Sequence, residues 1–169
     1  MQHYERRLPH WDVIGHPLFV TFRLHGSRPN SRVFPPGPLD SAGKAFVAMP
    51  LLLRRPEIAQ VVVAALQHGD TALHRYQLHS FVVMPNHVHL LVTPHVVSRQ
   101  WVGPLKGLTA HQGNLLLGKH GALWQDKSYD HLVRSGEFER IRGYIELNPV
   151  KAGLVAAPEE FLWSSAHQS

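Results

Sequence analysis

Apolar and polar residues alternate along residues 17–25. A period of two predicts a β-strand with one face turned to a core. The apolar face consists of Leu18, Val20, Phe22 and Leu24. Two further strands are predicted at 73–84 and 87–93, and the tight Met84-Pro85-Asn86 connection between them indicates a hairpin.

Longer segments carry apolar residues at helical spacing. The first predicted helix begins at Pro56, because the first helical turn tolerates proline, and Gly69 is its expected stop. A second helix is predicted over 98–119, with Ser98 as the candidate N-cap. The chain therefore alternates strand-like and helix-like segments, which is typical of a mixed α and β domain.

The last third of the chain adds a short extended piece near 124–134 and a helix over 136–148, which Pro149 is expected to end. The order of elements predicts an α+β fold, with a ferredoxin-like or RRM-like antiparallel sheet and helices packed mainly on one face. The length suits a single domain over residues 1–169. Within it, the Pro/Gly-rich stretch 26–56 is predicted to be mostly loop.

The composition excludes several kinds of chemistry. The chain has no cysteine, which excludes a disulfide framework, a thiolate zinc site and a cysteine nucleophile. No apolar run reaches the roughly 20 residues of a membrane helix, so no membrane contact is expected. The first residues lack the apolar stretch of a signal peptide, which favours a cytoplasmic location.

The net charge of +5 is unevenly distributed. Residues 1–55 hold eight basic side chains against three acidic ones, whereas residues 56–169 hold nine of each. The basic residues of the first third are Arg6, Arg7, Arg23, Arg28, Arg32, Lys44, Arg54 and Arg55. Such an imbalance suits a polyanion such as nucleic acid, or serves only solubility.

His87 and His89 are two residues apart in a predicted strand, so both imidazoles project from the same face. Two neighbouring imidazoles at this spacing can share one divalent cation. Fourteen histidines occur in the chain, however, and a pair at this spacing also arises by chance. The bare pair therefore leaves open two ordinary histidines on the solvent side of a sheet.

Tyr144 and Asn148 are four residues apart in the last predicted helix and lie on one side of it. Periodicity also allows a core position for Tyr144, beside Ile141 and Ile145, and a plain helix end at Asn148. Helical spacing alone favours that core interpretation, because buried aromatic residues are common on helices.

Several motifs in one order resemble the REP-associated tyrosine transposases, which are relatives of single-tyrosine insertion-sequence transposases. Residues 83–92, VMPNHVHLLV, are similar to the His-hydrophobe-His (HUH) segment of that family, and residues 144–155, YIELNPVKAGLV, resemble its tyrosine helix and the following turn. Shorter matching segments are 19–24 (FVTFRL), 124–125 (WQ), 129–134 (YDHLVR) and 163–165 (WSS). The likeness covers most of 16–166 and is weak across 26–72.

The resemblance implies that Tyr144 is a nucleophile and that His87 and His89 are metal ligands, with Asn148 at a position that supplies a further coordinating side chain. The implied reaction is metal-dependent cleavage and rejoining of single-stranded DNA through a 5′-phosphotyrosine intermediate, with Mg²⁺ or Mn²⁺ as the cofactor. The implied substrates are palindromic hairpins of a bacterial genome. A phenol with a pKa of about 10 is a poor nucleophile at neutral pH, so a bound cation would help such a reaction.

Four basic residues are candidate DNA contacts: Arg23, Lys106, Arg134 and Lys151. For Arg23, Lys106 and Lys151 a solvated side chain is the common alternative, and for Arg134 the alternative is a structural ion pair with Asp130. Tyr129 is the second candidate nucleophile, although only its place in the motif marks it.

Two other functions compete with the transposase hypothesis. One is a non-catalytic module that binds hairpin or single-stranded nucleic acid on the same fold. The other is a histidine-metal hydrolase that acts on a small phosphoester with water as the nucleophile. For the assembly, the resemblance favours a monomer over a homodimer.

Overall fold

The computed structural model describes residues 12–27 and 51–167 of the chain. The strands and α-helices of this part, in chain order, are β1 (Leu18–Arg23), α1 (Pro56–Thr71), β2 (Tyr76–Met84), β3 (His87–Pro94), α2 (Val102–Leu117), β4 (Tyr129–Leu132) and α3 (Phe138–Lys151). The loop predicted at 26–56 lies mostly outside the described residues. None of the helices in the described part is long and apolar enough to cross a membrane.

The four strands form one sheet in the order β2-β3-β1-β4, with antiparallel pairing throughout. Together with the crossovers through α1 and α2, this order gives the ferredoxin-like arrangement, followed by α3 as an additional helix. The predicted α+β class and sheet type are confirmed.

Each face of the sheet is covered by different helices. On one face, α1 and α2 pack over the apolar positions of the strands; this larger core includes Leu18, Val20, Phe22, Ile58, Leu66, Val88, Leu90, Val92 and Leu105. On the other face, α3 packs over a smaller core of Val82, Met84, Leu91, Val133, Ile141 and Ile145. Helices thus lie mainly on one face, as predicted, and α3 lies on the opposite one.

The first helix continues past Gly69 to Thr71, so the prediction that this glycine ends it is wrong. Tyr76 lies against the helix at this point, and its hydroxyl donates a hydrogen bond to the carbonyl oxygen of Leu66 at 2.8 Å. A Cβ atom on residue 69 would overlap the phenol ring of Tyr76. Gly69 therefore permits a close approach of helix and strand.

The last helix continues through Pro149 to Lys151, so the prediction that Pro149 ends it is also wrong. Proline lacks one backbone donor, the one that would otherwise bond to the carbonyl oxygen of Ile145. The helix then closes with a hydrogen bond of 3.0 Å from the backbone nitrogen of Ala152 to the carbonyl oxygen of Asn148. Pro149 is buried, and its packing offsets the lost bond.

Ser98 does not cap the second helix. It begins a short 3₁₀ turn, Ser98–Gln100, and Trp101 is the residue that precedes α2. At the other end, Gly118 adopts the left-handed conformation with φ of 61°, and its backbone nitrogen donates to the carbonyl oxygens of the last turn. A glycine in the left-handed conformation commonly ends an α-helix, and Gly118 ends α2 in this way.

The outer edge of β2 is covered by residues 163–165. The backbone nitrogen of Val83 donates to the carbonyl oxygen of Trp163 at 2.8 Å, and that of Ser165 donates to the carbonyl oxygen of Phe81 at 3.0 Å. The side-chain hydroxyl of Ser165 also lies 3.1 Å from that of Ser80. The WSS motif of the sequence thus extends the pairing beyond the four strands.

The substitution Gly69→Ala is expected to destabilise the fold, because its methyl group must displace Tyr76 from the hydrogen bond to Leu66. We expect a loss of about 1–3 kcal/mol in the free energy of unfolding, measured by urea denaturation. Gly107→Ala is the matched control, because a Cβ there meets no atom within 4 Å. Helix propensity predicts that this control gains up to about 1 kcal/mol; equal effects of both variants would contradict the close-approach explanation.

Candidate active site

The central strand pair sets the positions of the candidate site residues. In the antiparallel register of β1 and β3, Thr21 lies opposite His89 and Arg23 lies opposite His87. All four side chains project from the face that α3 covers, because residues two apart in a strand share a face. The alternation predicted for β1 and the shared face predicted for the two histidines are both confirmed.

The two imidazoles are buried next to each other, with 7% of His87 and 5% of His89 exposed. Their ring centroids are 4.6 Å apart and the rings are inclined by 72°. Burial is the main cause that lowers the pKa of both, to about 2 for His87 and about 3 for His89. His89 and then the charge of Arg23 lower the pKa of His87 further, and the charge of Arg23 lowers that of His89. Both side chains are therefore neutral at physiological pH, which is the form that binds metal ions.

One ring nitrogen of each histidine is held by a neighbouring side chain. His87 Nδ1 donates a hydrogen bond to Asn86 Oδ1 at 2.7 Å. His89 Nδ1 lies 2.7 Å from the hydroxyl oxygen of Thr21, which accepts when that nitrogen carries the proton. The lone pair of each ring then resides on Nε2. This arrangement is the usual one behind a metal-binding histidine, so the pair fits a divalent cation.

Tyr144 lies on α3 beside His89. Its ring centroid is 5.6 Å from that of His89 and 6.0 Å from that of Phe19, which it meets edge to face. The flanking Ile141 and Ile145 belong to the smaller core and fix the helix on the sheet. Tyr144 itself is 44% exposed, which excludes the core position that helical spacing had favoured.

Asn148 lies one helical turn beyond Tyr144 and is partly buried. Within residues 12–27 and 51–167, no cluster of three or more histidine, aspartate or glutamate side chains could hold a metal ion. A cation at His87 and His89 would therefore take its remaining ligands from an amide, from water or from a substrate oxygen. The role of Asn148 as a ligand stays a prediction.

Two open clefts meet at Tyr144. The first has a volume of about 400 Å³ and is lined by Phe19, Thr21, Arg23, His89, Gln125, Lys127, Ser128, Tyr129 and Tyr144. The second has a volume of about 600 Å³ and lies between β4 and α3; it is lined by Phe19, Tyr129, His131, Glu137, Glu139, Arg140, Ile141, Gly143, Tyr144, Leu147 and Lys151. We call them the β1 cleft and the β4–α3 cleft. Phe19, Tyr129 and Tyr144 belong to both.

Two of the four predicted DNA contacts lie at these clefts. Arg23 lines the β1 cleft and interacts electrostatically with Tyr144, although burial lowers the pKa of its guanidinium. Lys151 lines the β4–α3 cleft, and its Nζ is 5.8 Å from the centroid of the Tyr144 ring. Positive charge is thus placed on both sides of the tyrosine.

The other two predicted contacts lie elsewhere. Lys106 Nζ donates to the carbonyl oxygens of Gln125 and Asp126 and to the hydroxyl of Ser128, at 2.6, 3.2 and 3.2 Å, so it holds the segment before β4. Arg134 is exposed in the turn before α3. A contact of either residue with DNA stays a prediction. The basic residues Arg6, Arg7, Arg28, Arg32 and Lys44 of the first third lie outside the described residues.

Glu137 is a site residue that the sequence did not reveal. One carboxylate oxygen accepts hydrogen bonds of 2.9 Å from the backbone nitrogen of Arg134 and from His131 Nε2, and the other accepts one from Arg140. Chiefly the backbone donor, followed by His131, lowers the pKa of Glu137 to about 2. The carboxylate joins β4 to the start of α3, the helix that carries Tyr144.

The contribution of Glu137 to stability should depend on pH. Because its pKa in the folded chain is depressed, the stabilisation is complete above about pH 4.5 and is lost as the pH falls through 2. We expect Glu137→Gln to be less stable than the wild type at neutral pH, and the difference to shrink progressively below about pH 4.5. Urea unfolding of both proteins at a series of pH values measures this difference in the free energy of unfolding. Glu139→Gln, an exposed neighbour on α3, is the control, and an equal pH-dependent loss in that variant would contradict the assignment.

Comparison with known proteins supports the architecture. No protein-family profile matches the chain, and no curated protein is significantly similar to it. Among solved structures, a REP-associated tyrosine transposase bound to a REP hairpin superposes with a TM-score of 0.62 and 19% sequence identity, over 99% of this chain and 84% of the other. A candidate transposase of Deinococcus radiodurans superposes with a TM-score of 0.47 and 21% identity, over 83% and 95% of the two chains. The chain therefore has the fold of a REP-associated tyrosine transposase.

Proposed function

We propose that this protein cleaves and rejoins single-stranded DNA through a covalent bond to Tyr144. The observation that carries the proposal is the position of an exposed tyrosine beside His89, one of two adjacent, buried and neutral imidazoles that neighbouring side chains hold at Nδ1. The fold shared with a tyrosine transposase and the order of motifs in the sequence support the same conclusion.

The chemistry follows from the groups around the tyrosine. The hydroxyl oxygen of Tyr144 attacks the phosphorus of a phosphodiester, and its proton passes to solvent. A bond forms between this oxygen and phosphorus while the bond from phosphorus to the 3′ oxygen breaks, which leaves a 5′-phosphotyrosine and a 3′-hydroxyl. Attack by another 3′-hydroxyl reverses the step and joins a new strand. The energy of the phosphodiester is kept in the covalent bond, so no ATP is needed.

Charged residues of the site favour the attack. Arg23 and Lys151 lie on the two sides of Tyr144, where negative charge develops on the phenolic oxygen and on the phosphate. Mg²⁺ or Mn²⁺, held by His87, His89 and Asn148, would supply the Lewis acidity that polarises the phosphate. Imidazole ligands do not select Mg²⁺ strongly, so Mn²⁺ should support the reaction at least equally well.

For the substrate, we propose palindromic DNA hairpins with single-stranded flanks. The structurally similar transposase is bound to a REP hairpin, and it superposes on nearly the whole of this chain. Single-stranded flanks suit the site, because the open clefts on both sides of Tyr144 give an unpaired strand room to cross it. We propose that a monomer in the cytoplasm, associated with the nucleoid, carries out the reaction.

The substitution Tyr144→Phe should abolish the covalent adduct with DNA, because it removes the attacking oxygen. The assay incubates labelled hairpin DNA carrying single-stranded flanks with the protein and Mn²⁺, and looks for a protein–DNA species that survives SDS. Tyr129→Phe serves as the comparison, since Tyr129 is the other exposed tyrosine at the clefts. An adduct that persists in Tyr144→Phe and disappears in Tyr129→Phe would show that the covalent bond forms at Tyr129.

Together with the adduct assay, a hairpin-binding assay and a phosphoester-hydrolysis assay separate the proposal from its two competitors. A protein that binds the hairpin but leaves no adduct with any divalent cation is a non-catalytic binding module. Hydrolysis of a small phosphoester that survives Tyr144→Phe indicates that water is the nucleophile.

The substitution Thr21→Val should weaken Mn²⁺ binding about 10- to 100-fold, because Val keeps the shape of Thr but cannot accept the proton of His89 Nδ1. Isothermal titration calorimetry with Mn²⁺ measures this effect. Thr93→Val is a matched control: the hydroxyl of Thr93 makes a similar hydrogen bond of 2.7 Å with His79, away from the site. Equal losses in both variants would show that the effect is not specific to the histidine pair.

A further inference from the structure

The two clefts differ in charge, although they share three aromatic residues. Among the described residues, the charged side chains that line the β1 cleft are Arg23 and Lys127, both basic. The β4–α3 cleft holds Glu137 and Glu139 as well as Arg140 and Lys151. A phosphodiester backbone suits the first cleft, because phosphates are bound by basic residues. The mixed charge of the second cleft suits a neutral group with hydrogen-bond donors and acceptors.

The β4–α3 cleft also has apolar walls. Tyr129 is 51% exposed and Leu147 is 41% exposed, and both line the cleft. The ring of Tyr129 meets that of Phe19 edge to face, with centroids 6.4 Å apart and an angle of 73° between the rings. Such a contact occupies at most one face of the Tyr129 ring. An aromatic face at the wall of an open cleft is the surface on which unpaired bases stack.

Tyr129 and Tyr144 both lie where the two clefts meet. Both rings contact Phe19, and both belong to the boundary between the two clefts. For a single strand whose phosphate reaches the Tyr144 hydroxyl, the two clefts are open to the neighbouring nucleotides. The β1 cleft leads past Arg23 and Lys127, the β4–α3 cleft leads past Leu147, and the ring of Tyr129 lies where the two meet.

We propose that the β4–α3 cleft binds an unpaired nucleobase next to the scissile phosphate and that the ring of Tyr129 is its stacking surface. The acidic and basic side chains at the rim, among them Glu139 and Arg140, can accept from and donate to the edges of such a base. The inference deepens the proposed function and rests on it for the position of the scissile phosphate. It gives Tyr129 a role in binding, distinct from that of the nucleophile.

The test measures equilibrium binding without any divalent cation, so that it is independent of cleavage. The probes are fluorescently labelled oligothymidylate of about 12 nucleotides, which matches common site sizes, and an abasic strand of the same length. The variants are Tyr129→Ala, Tyr129→Phe and Lys127→Ala. Leu115→Ala is the control, because Leu115 is an exposed apolar residue of α2 that lines neither cleft. Thermal unfolding of each variant verifies that the fold is kept.

The proposal predicts a specific pattern. Tyr129→Ala should bind oligothymidylate about five- to 150-fold more weakly, whereas Tyr129→Phe should stay within about two-fold of the wild type. The abasic strand should bind Tyr129→Ala and the wild type equally. Lys127→Ala should weaken the binding of both strands by a similar factor and reduce the salt dependence of the affinity, because it removes a phosphate contact.

Three results would overturn the inference. They are unchanged binding of oligothymidylate by Tyr129→Ala, an equal loss for the thymidylate and abasic strands in that variant, and no binding of oligothymidylate by the wild type. The two proposals can fail separately. A protein that forms no covalent adduct, but binds oligothymidylate more tightly than the abasic strand in a way that depends on Tyr129, would reject the catalytic proposal and leave the base-binding cleft in place.

Discussion

The antiparallel pairing of β1 with β3 at the centre of the sheet determines where the two histidines and their strand neighbours lie. It sets Thr21 against His89 and Arg23 against His87, so that one register supplies the histidine pair, the hydroxyl that orients one ring and the nearby guanidinium. A slip of β1 by one residue would turn Thr21 and Arg23 into the larger core and bring Val20 and Phe22 to the site face. The apolar residues that face α1 and α2 make such a slip costly. The packing of one face of the sheet therefore determines which side chains lie at the candidate site on the other face.

The helix that carries Tyr144 is held on the sheet by both apolar and polar contacts. Its apolar contacts belong to the smaller core, and two polar contacts add to them: Glu137 holds the start of the helix to β4, and Glu146, within the helix, meets the hydroxyl groups of Ser80 and Ser165. The proposed nucleophile, Tyr144, thus lies on a helix whose position depends on a few named contacts. The histidines, in contrast, are part of the strands themselves.

Periodicity was sufficient to predict the faces of β1 and β3 and the α+β class, because alternation within a strand is a local property of the sequence. The bond between Thr21 and His89 joins residues 68 positions apart, and no local pattern encodes the register that creates it. Gly69 and Pro149 misled the prediction of helix ends for a related reason: a tertiary contact with Tyr76 and the burial of Pro149 outweigh the usual preference of each residue. Tyr144 is a further case: helical spacing favoured a core position, because spacing alone does not show whether an aromatic residue on a helix is buried or exposed.

The segment 163–165 protects the outer edge of the sheet, away from the candidate active site. Its backbone bonds with Phe81 and Val83 occupy donors and acceptors that an outer strand would otherwise present to solvent. Such open edges are where one chain can pair with another and begin to aggregate. Through the hydroxyl of Ser165, the same segment reaches Glu146 on α3. Protection against unwanted association and support for the tyrosine helix are therefore coupled, and a change in these three residues would affect solubility and the site together.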